Sequence, residues 1–585
     1  MSRFPLSHLS ASLWLVAGIV TFWSFGYAEI EAGDLWWHIA AGRLIVENGS
    51  PWLVDSWSYT ASGRAWLNHE WLSDVIFHFW TSLFGLAALA YWKWLVVVVA
   101  FVLLQKALFR VCEDRFAAFL GAVLAIAVAE PFLDIRPHLY TILNYCLLLA
   151  LVLERKPSRR VLAVVFVLWV NLHAGFFFGL LALPILLMPW RDIRVESLRA
   201  AAITLFVCVA ASAINPFGIE VFFYPLKYAF ETASPFRGIS EWLPPFEAGG
   251  MQSPLYPWLI GLLVLTASSF LLPAVRRRSH IPWEGLALAA LTLAMSLTSR
   301  RFIPLFGISA ALVVTPVLAV LLRRFQPIWT EKIVPLVALA VGLFLLLRYP
   351  QSPAHAFHYL TAQHGEPVDT VDFIELNGLE GKVFAYYSFG GYLHLRTQGR
   401  MQVYIDGRAD TVYDVETYRH YRDVVGDGPG WLSVVESLGS EYFLWPVRRH
   451  NGVEKSRALL ATGRWRPLYR DAVSVLLVRT ELEIPATMKL PANTGYHALA
   501  IAMMYAKRGE LEMAERFFLD AVEREPFLKP ACLSLAEAQA YLGKADAARE
   551  RVETCARLYP GAAGVAEMRV LVEKQARNRR SAAGS

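Results

Sequence analysis

The sequence predicts a polytopic α-helical membrane protein of about eleven transmembrane helices, followed by a small α/β extracytoplasmic domain and a C-terminal α-solenoid. Three observations carry this expectation. Of 585 residues, 56% are hydrophobic and only 18% charged, with a mean hydropathy of +0.41, whereas soluble domains average about 45–50% apolar and about 25% charged. From about residue 350 onward charges become frequent and apolar runs shorten to strand or amphipathic-helix length. Residues 496–575 repeat with a period of 34. The expected domains are 1–350 in the membrane, 351–485 as the α/β domain and 486–585 as helical repeats with a disordered end.

Apolar runs able to approach the ~20 residues that span a hydrocarbon core lie near 10–29, 86–108, 116–133, 138–153, 161–172, 175–190, 200–215, 254–275, 283–298, 302–322 and 333–349. The pair interrupted by NLHAG (171–175) also reads as one broken or re-entrant segment. The first run lacks a small-residue cleavage site and reads as a retained helix. Alternate loops carry the Lys and Arg clusters, among them Lys106/Arg110/Arg115, Arg155/Lys156/Arg159/Arg160 and Arg276/Arg277/Arg278. By the positive-inside rule these loops are cytoplasmic, the N-terminus is inside and the tail is outside. The net charge of +6 is accounted for by these clusters, so nucleic acid is not an expected partner. Five cysteines without CxxC spacing argue against a metal site or a disulfide framework.

With that orientation, the conspicuous polar residues gather in the outer loops. The first, 30–85, holds Asp34, His38, Asn68, His69 and Glu70; DIRPH holds Asp134, Arg136 and His138; NLHAG holds Asn171 and His173. Further on come Glu241 and Trp242 in SEWLPP, and Arg300 and Arg301 in SRR. Arginines on the side where the orientation rule disfavours them call for an anionic partner or for lipid phosphates at the interface. A polar cavity shared by these residues is the reading we carry forward.

In the first outer loop, GDLWWHIAAGRLIVENG spaces Leu35, Ile39, Leu44 and Ile45 for an amphipathic helix, and NHEWLSDVIFHFWTSLFG reads as a second. Trp36, Trp37, Trp52, Trp57 and Trp66 are expected as interfacial anchors. Asp34 is either a helix N-cap or a poised carboxylate acting as a base toward a nucleophile. His38, four residues on, faces the same way. Asp34, His38, His69 and Glu70 are the set from which a divalent cation could be held, but their spacing matches no zinc pattern, and no metal or other cofactor is expected.

The long outer loop with an early acid and two interfacial helices, followed by about ten more helices with outer-face polar sites, resembles the GT-C superfamily of integral-membrane glycosyltransferases. Protein mannosyltransferases, oligosaccharyltransferases and aminoarabinose transferases share that plan. GDLWWHIAAGRLI, DSWSYTASGRAWLNHEWLSDVIF, IRPHLY, NLHAGFFFG, INPFG and ISEWLPP also resemble a widespread group of bacterial membrane proteins placed near those enzymes. The resemblance covers roughly residues 10–350. It implies a sugar donor linked to a polyprenyl phosphate, Asp34 as general base, and Arg136, Arg300 and Arg301 on the donor phosphate. His38, His69, Glu70, His138, Asn171, His173, Glu241 and Trp242 would line the substrate pocket. The adjacent acidic pair common in such first loops is absent: Asp34 has no neighbouring carboxylate, and Glu31 is the nearest.

In the tail, 382–389, 401–407, 441–446 and 472–480 have strand composition, and 411–440 is partly helical. YYSFGG and DGR read as tight turns, with Asp406, Arg408 and Asp410 able to reach the cavity. Gly509, Ala514 and Pro526 recur as Gly543, Ala548 and Pro560, the tetratricopeptide pattern, with a terminal helix near 564–577. So short an array should lean on the preceding domain and bind a peptide or partner protein. Three function classes follow. The first is a lipid-phosphate-sugar-dependent transferase, the second a non-catalytic envelope polysaccharide or secretion assembly protein, and the third a lipid-linked saccharide transporter, which would call for internal repeats among the membrane helices that the sequence lacks.

Overall fold

The computed structural model describes residues 4–26, 33–153, 158–191, 193–230, 235–249, 252–277, 279–323, 332–347, 365–447, 449–492, 494–559 and 562–583. The described residues are mostly helical, and the chain divides into two compact units that do not follow chain order. The first is Met1–Ile30, Ile45–Trp52 and Leu67–Leu347; the second is Glu31–Leu44, Leu53–Trp66 and Arg348–Ser585. The first outer loop, expected to stay with the membrane helices, is thus split between them.

In the first unit each of the eleven apolar runs coincides with a helix, from Phe4–Phe25 to Val334–Leu346. Leu86–Cys112, Arg115–Phe132, Val195–Ser212 and Arg300–Leu322 are long and apolar enough to cross a bilayer; others, such as His138–Val152 and Phe176–Leu187, are shorter. Arg300–Leu322 is the most enclosed of the four. Along it Ile303, Phe306, Ala310 and Val313 pack on Val128, Tyr256, Leu259 and Ala289. A Cβ on Gly307 would stand 3.2 Å from the Ala125 carbonyl oxygen, a small-residue approach of backbones of the kind membrane helices use where apolar burial alone gives no drive to associate. Asp114 accepts from the Ala117 N–H at 2.8 Å and starts the helix Arg115–Ala129. NLHAG is a sharp break between Arg159–Leu172 and Phe176–Leu187. The segment after INPFG forms one further helix, Glu220–Phe230.

The second unit is built on a five-stranded sheet. Its strands are β3 (Gly381–Ala385), β4 (Met401–Val403), β5 (Tyr442–Pro446), β6 (Trp465–Arg470) and β7 (Ser474–Arg479), in the order β4-β3-β5-β7-β6. β4, β3 and β5 run parallel, while β7 is antiparallel to both β5 and β6. The first-loop hairpin of β1 (Leu53–Val54) and β2 (Ala65–Trp66) belongs to the same unit, and a bridge from Ser58 to Val403 lays it along the free edge of β4, protecting an edge that would otherwise expose unpaired backbone groups.

Helices Gly495–Lys507, Leu511–Arg524, Lys529–Leu542, Ala545–Leu558 and Ala563–Ala583 follow. Gly509 and Gly543, equivalent in the repeat, both turn the chain at positive φ (79° and 84°), where a Cβ would be strained. The first helix pair leans on the sheet, with Ala472 in the same buried cluster as Leu499, Phe518 and Leu535. Thr494 caps its helix and also donates to Asp369 at 2.6 Å.

Two expectations are corrected here. Cys532 and Cys555 form a disulfide between the helices of the second pair; absence of CxxC spacing says nothing about cysteines 23 residues apart that a helical hairpin folds together. The C-terminal segment from Arg577, expected to be disordered, continues the last helix to Ala583.

Candidate functional site

The sequence-selected residues fall into three groups, two in the first unit and one in the second. In the first group Arg136 donates to Glu241 at 2.9 Å, and the Arg301 guanidinium lies 4.1 Å from the Trp242 ring centroid, within cation–π reach. His138 begins the helix His138–Val152, and its Nε2 is 2.6 Å from the Phe132 carbonyl oxygen. Burial acts to raise the Glu241 carboxyl, but the charges of Arg136, Arg301 and His138 outweigh it and hold the group below the usual carboxylate range. Arg300 is fully buried and holds the Gly249, Pro244 and Glu247 carbonyls. Its fork therefore ties down the 244–249 turn rather than facing outward.

The second group explains NLHAG. Asn171 accepts from the Trp71 indole at 2.9 Å and donates to the Val167 and Ile214 carbonyls. His173 Nδ1 accepts from the Gly175 N–H at 2.9 Å, which leaves the proton of a neutral ring on Nε2. That nitrogen is 3.4 Å from Glu70 Oε1, and His69 Nε2 is 4.0 Å from the same oxygen. Thr141 lies 2.7 Å from His173 Nδ1 and accepts from the Trp169 indole at 3.1 Å. A Cβ on Gly175 would collide with the Thr141 hydroxyl and His173 Nδ1, so only glycine fits. Thr141 is one turn beyond His138 on the same helix, and the two groups are therefore neighbours.

The third group belongs to the second unit. Asp34 precedes the helix Leu35–Asn48, and its carbonyl accepts from the His38 N–H at 3.3 Å. His38 is buried and stacked on Trp37 with centroids 3.6 Å apart. Around the helix start close both glycine turns of the tail. Gly33 sits against Ser388, Gly391 against the Gly33 carbonyl and the Trp37 N–H, and a Cβ on Gly407 would strike Asp34 Oδ1. Glu366 is 7% exposed, and burial first, with the Asp34 charge in addition and against the Trp36 indole, raises its carboxyl to about 8.

Next to it lies a fully buried ionic knot. Arg408 pairs with Asp406 at 2.7 Å and with Asp55 at 2.5 Å, and its guanidinium lies 4.9 Å from the Trp57 ring and 5.0 Å from the Trp66 ring. His394 Nε2 and the Tyr413 hydroxyl reach Asp406 Oδ2, each at 2.8 Å. Burial would raise Asp406, but Arg408 and His394 hold it far below its usual range. Trp36, Trp37, Trp57 and Trp66, expected at the membrane interface, are buried in this unit; of the five only Trp52 is exposed. Amphipathic rings suit a domain core as well as a headgroup layer, and composition does not separate the two. Asp406 and Arg408 likewise face each other inside the unit instead of reaching outward.

No protein-family model matches the chain, and no curated protein matches it in sequence. Solved structures do. The Archaeoglobus fulgidus oligosaccharyltransferase in its apo form superimposes with a TM-score of 0.50 at 12% identity, over 86% of this chain and 77% of that one. The oligosaccharyltransferase AglB of Archaeoglobus fulgidus, in complex with an inhibitory peptide and a dolichol-phosphate, gives 0.52 at 13% identity, over 84% and 76%. The chain shares the fold of these two structures.

On that shared fold, the residues chosen from the sequence occupy the loops and helix starts described above. Asp34 and His38 lie in one unit, His69 and Glu70 in the other, and among the described residues no three His, Cys, Asp or Glu side chains gather as a metal site. Sequence reading missed Glu366, Ser388 and Gly407. Glu366 follows a weakly patterned stretch and carries no local signal; the two glycine turns were visible, but not what they close upon.

Proposed function

We propose that this membrane protein is a glycosyltransferase of the GT-C type that moves a sugar from a polyprenyl-phosphate carrier to an acceptor on the extracytoplasmic side of a bacterial inner membrane. One observation carries the reading: Arg136, Arg301, Glu241, Trp242 and His138, taken from three separate loops, come together with two guanidinium charges against one carboxylate. The surplus positive charge suits a lipid phosphate, which guanidinium groups bind through paired hydrogen bonds, and Trp242 offers a face for a sugar. The second structural neighbour holds a dolichol-phosphate and a peptide, in keeping with a lipid-linked donor and a peptide or protein acceptor.

In this reading Arg136 and Arg301 hold the donor phosphate, and the charge they carry stabilises the leaving group as the glycosidic C–O bond breaks. Arg300 positions the loop. Asn171, His173, His69 and Glu70 form the neighbouring polar wall. Asp34 takes the proton of the acceptor nucleophile as its oxygen or nitrogen bonds to the anomeric carbon, and His38 with Trp37 sets the helix that carries it. The C-terminal helix pairs act as tetratricopeptide repeats that recruit the acceptor or a partner protein.

The test uses Asp34→Asn and Arg301→Ala in cells, reading glycan transfer together with membrane abundance and partner capture by the tail. Loss of transfer with abundance and capture intact is expected. Normal transfer in both variants would overturn the enzyme reading and leave the assembly protein standing.

A further inference from the structure

The C-terminal helix pairs meet the sheet at a buried acid. Asp369 stands in the first turn of the helix Val368–Leu376 and is fully buried. Thr494, which caps the first helix of the array, holds its hydroxyl oxygen 2.6 Å from one Asp369 oxygen and 2.5 Å from the other. Two oxygens so close are bonded when a proton lies between them, and the threonine hydroxyl has one proton to give. The second contact takes its proton from the carboxyl: Thr494 donates to one oxygen and accepts from the other. A charged Asp369 keeps one of these bonds and loses the other.

The surroundings also disfavour that charge. The groups facing Asp369 are Asp372 on its own helix, Asp471 on the turn before β7, Glu525 just past the helix Leu511–Arg524, and the Tyr469 and Tyr496 hydroxyls. Arg396, from the helix Phe389–Thr397, is committed to Asp372, Glu375 and the Tyr392 hydroxyl. Among the described residues no lysine or arginine pairs with Asp369. The rest of the joint is apolar and made of small side chains on the sheet side, Val368, Ala472 and Val473. The helix Val368–Leu376 is itself tied to the sheet independently, since Thr370 donates to Asp471 at 3.1 Å and lies 2.8 Å from the Ser474 hydroxyl. Just past its end, Asn377 exchanges two hydrogen bonds with the Lys489 backbone, at 2.8 and 2.7 Å, and so pins the linker that leads to the array.

We propose that Asp369 and Thr494 form a proton-gated latch: while the carboxyl is protonated the helix pairs are held against the sheet, and when it ionises they come away with the sheet intact. Ionisation breaks one O–H bond and passes the proton to solvent, with no electron transferred, and opening of the joint lets water reach the new charge. Burial first, and then Asp471, Asp372 and Glu525, push Asp369 up to about 7 against the Thr494 hydrogen bond; in the open joint it returns to about 4. The closed form therefore has its full advantage below about pH 4, loses it as pH rises, and has no more to lose above about 7. The latch does not depend on any transferase activity.

Pulsed electron resonance distance measurements on the full-length protein in lipid nanodiscs test it. Spin labels go on Arg470→Cys in the sheet and Arg516→Cys in the array, both exposed positions, with the free thiols Cys112, Cys146 and Cys208 replaced by alanine. At pH 5 one short distance should dominate. The ratio of longer to short distances should rise about tenfold per pH unit up to about pH 6.5 and level off above 7. Asp369→Asn, whose amide makes both hydrogen bonds and cannot ionise, should keep the short distance throughout. Thr494→Val should show the longer distances already at pH 5. A wild type with one short distance at every pH, a response that survives in Asp369→Asn, or a Thr494→Val that behaves as wild type would each overturn the latch. So would loss of amide protection in Tyr442–Pro446 at the same pH, since the sheet would then be unfolding with the joint.

Discussion

Asp55 and Arg408, 353 residues apart in the chain, form an ion pair at 2.5 Å with side chains 0% and 1% exposed. One comes from the first outer loop and the other from the DGR turn of the tail, so the loop is part of the tail's core. Arg408 also serves Asp406 and lies between two tryptophan rings. Removing one member of a buried pair strands the others, at a cost of about 3–5 kcal/mol. Arg408→Ala is therefore expected to unfold the second unit at markedly lower denaturant, read by limited proteolysis of the tail in membranes. Arg408→Lys should rescue little, because a point charge cannot serve Asp55 and Asp406 together.

Gly175→Ala is expected to disturb the first unit. The added methyl meets the Thr141 hydroxyl and His173 Nδ1, and overpacking of this kind costs about 1–3 kcal/mol. It also pushes His173 out of line with Glu70. Thermal stability in detergent should fall, and sugar transfer should fall further than in Ala174→Gly, which adds no atoms to the break. Equal loss in the two variants would mean that the network has no part in activity.

The helices and most strands were legible because apolar period and length are local properties: eleven runs became helices, and β3, β4, β5 and β7 formed within a few residues of the stretches marked for them. β6 was missed, as its WRPLYR segment mixes a proline and two arginines into the pattern. At the site, IRPH and SRR were recognisable by their arginines and SEW by its Glu and Trp, and the Arg136–Glu241 and Arg301–Trp242 contacts joined them. Which tryptophans lie in the lipid interface and which in a core was not legible, because the same ring satisfies both and only the pairing of residues 53–66 with the tail decides it. Glu366 was beyond reach for the same reason: its burial is set by long-range folding.

The second unit should lose stability as pH rises. Asp369 is buried and lifted to about 7, first by burial and then by Asp471, Asp372 and Glu525, against hydrogen bonding from Thr494; Glu366 is lifted to about 8. A carboxyl whose folded value is raised stays protonated in the native state while the unfolded chain ionises near pH 4. Its contribution is full below that point and is lost progressively until pH passes the folded value. Denaturation midpoints measured from pH 4 to pH 9 should therefore decline across the range. Asp369→Asn and Glu366→Gln, separately, should each flatten part of the decline; a flat wild-type profile would contradict both assignments.

The Cys532–Cys555 disulfide closes a loop of 23 residues between two helices of the C-terminal array. In the chain-entropy account such a cross-link stabilises the fold by about 3 kcal/mol, which matters for an array of so few repeats. Reduction, or replacement of both cysteines by serine, should lower the melting temperature of the array without altering the sheet. A structural disulfide of this kind persists in oxidising compartments and is rare in the cytosol, so it also bears on which side of the membrane the tail occupies. Cells lysed in acid and treated with a maleimide under denaturing conditions should add two labels only after reductant, over and above the three free thiols Cys112, Cys146 and Cys208. Five labels without reductant would place the tail in a reducing compartment, overturn the orientation drawn from the Lys and Arg clusters, and move the proposed transfer to the cytoplasmic side.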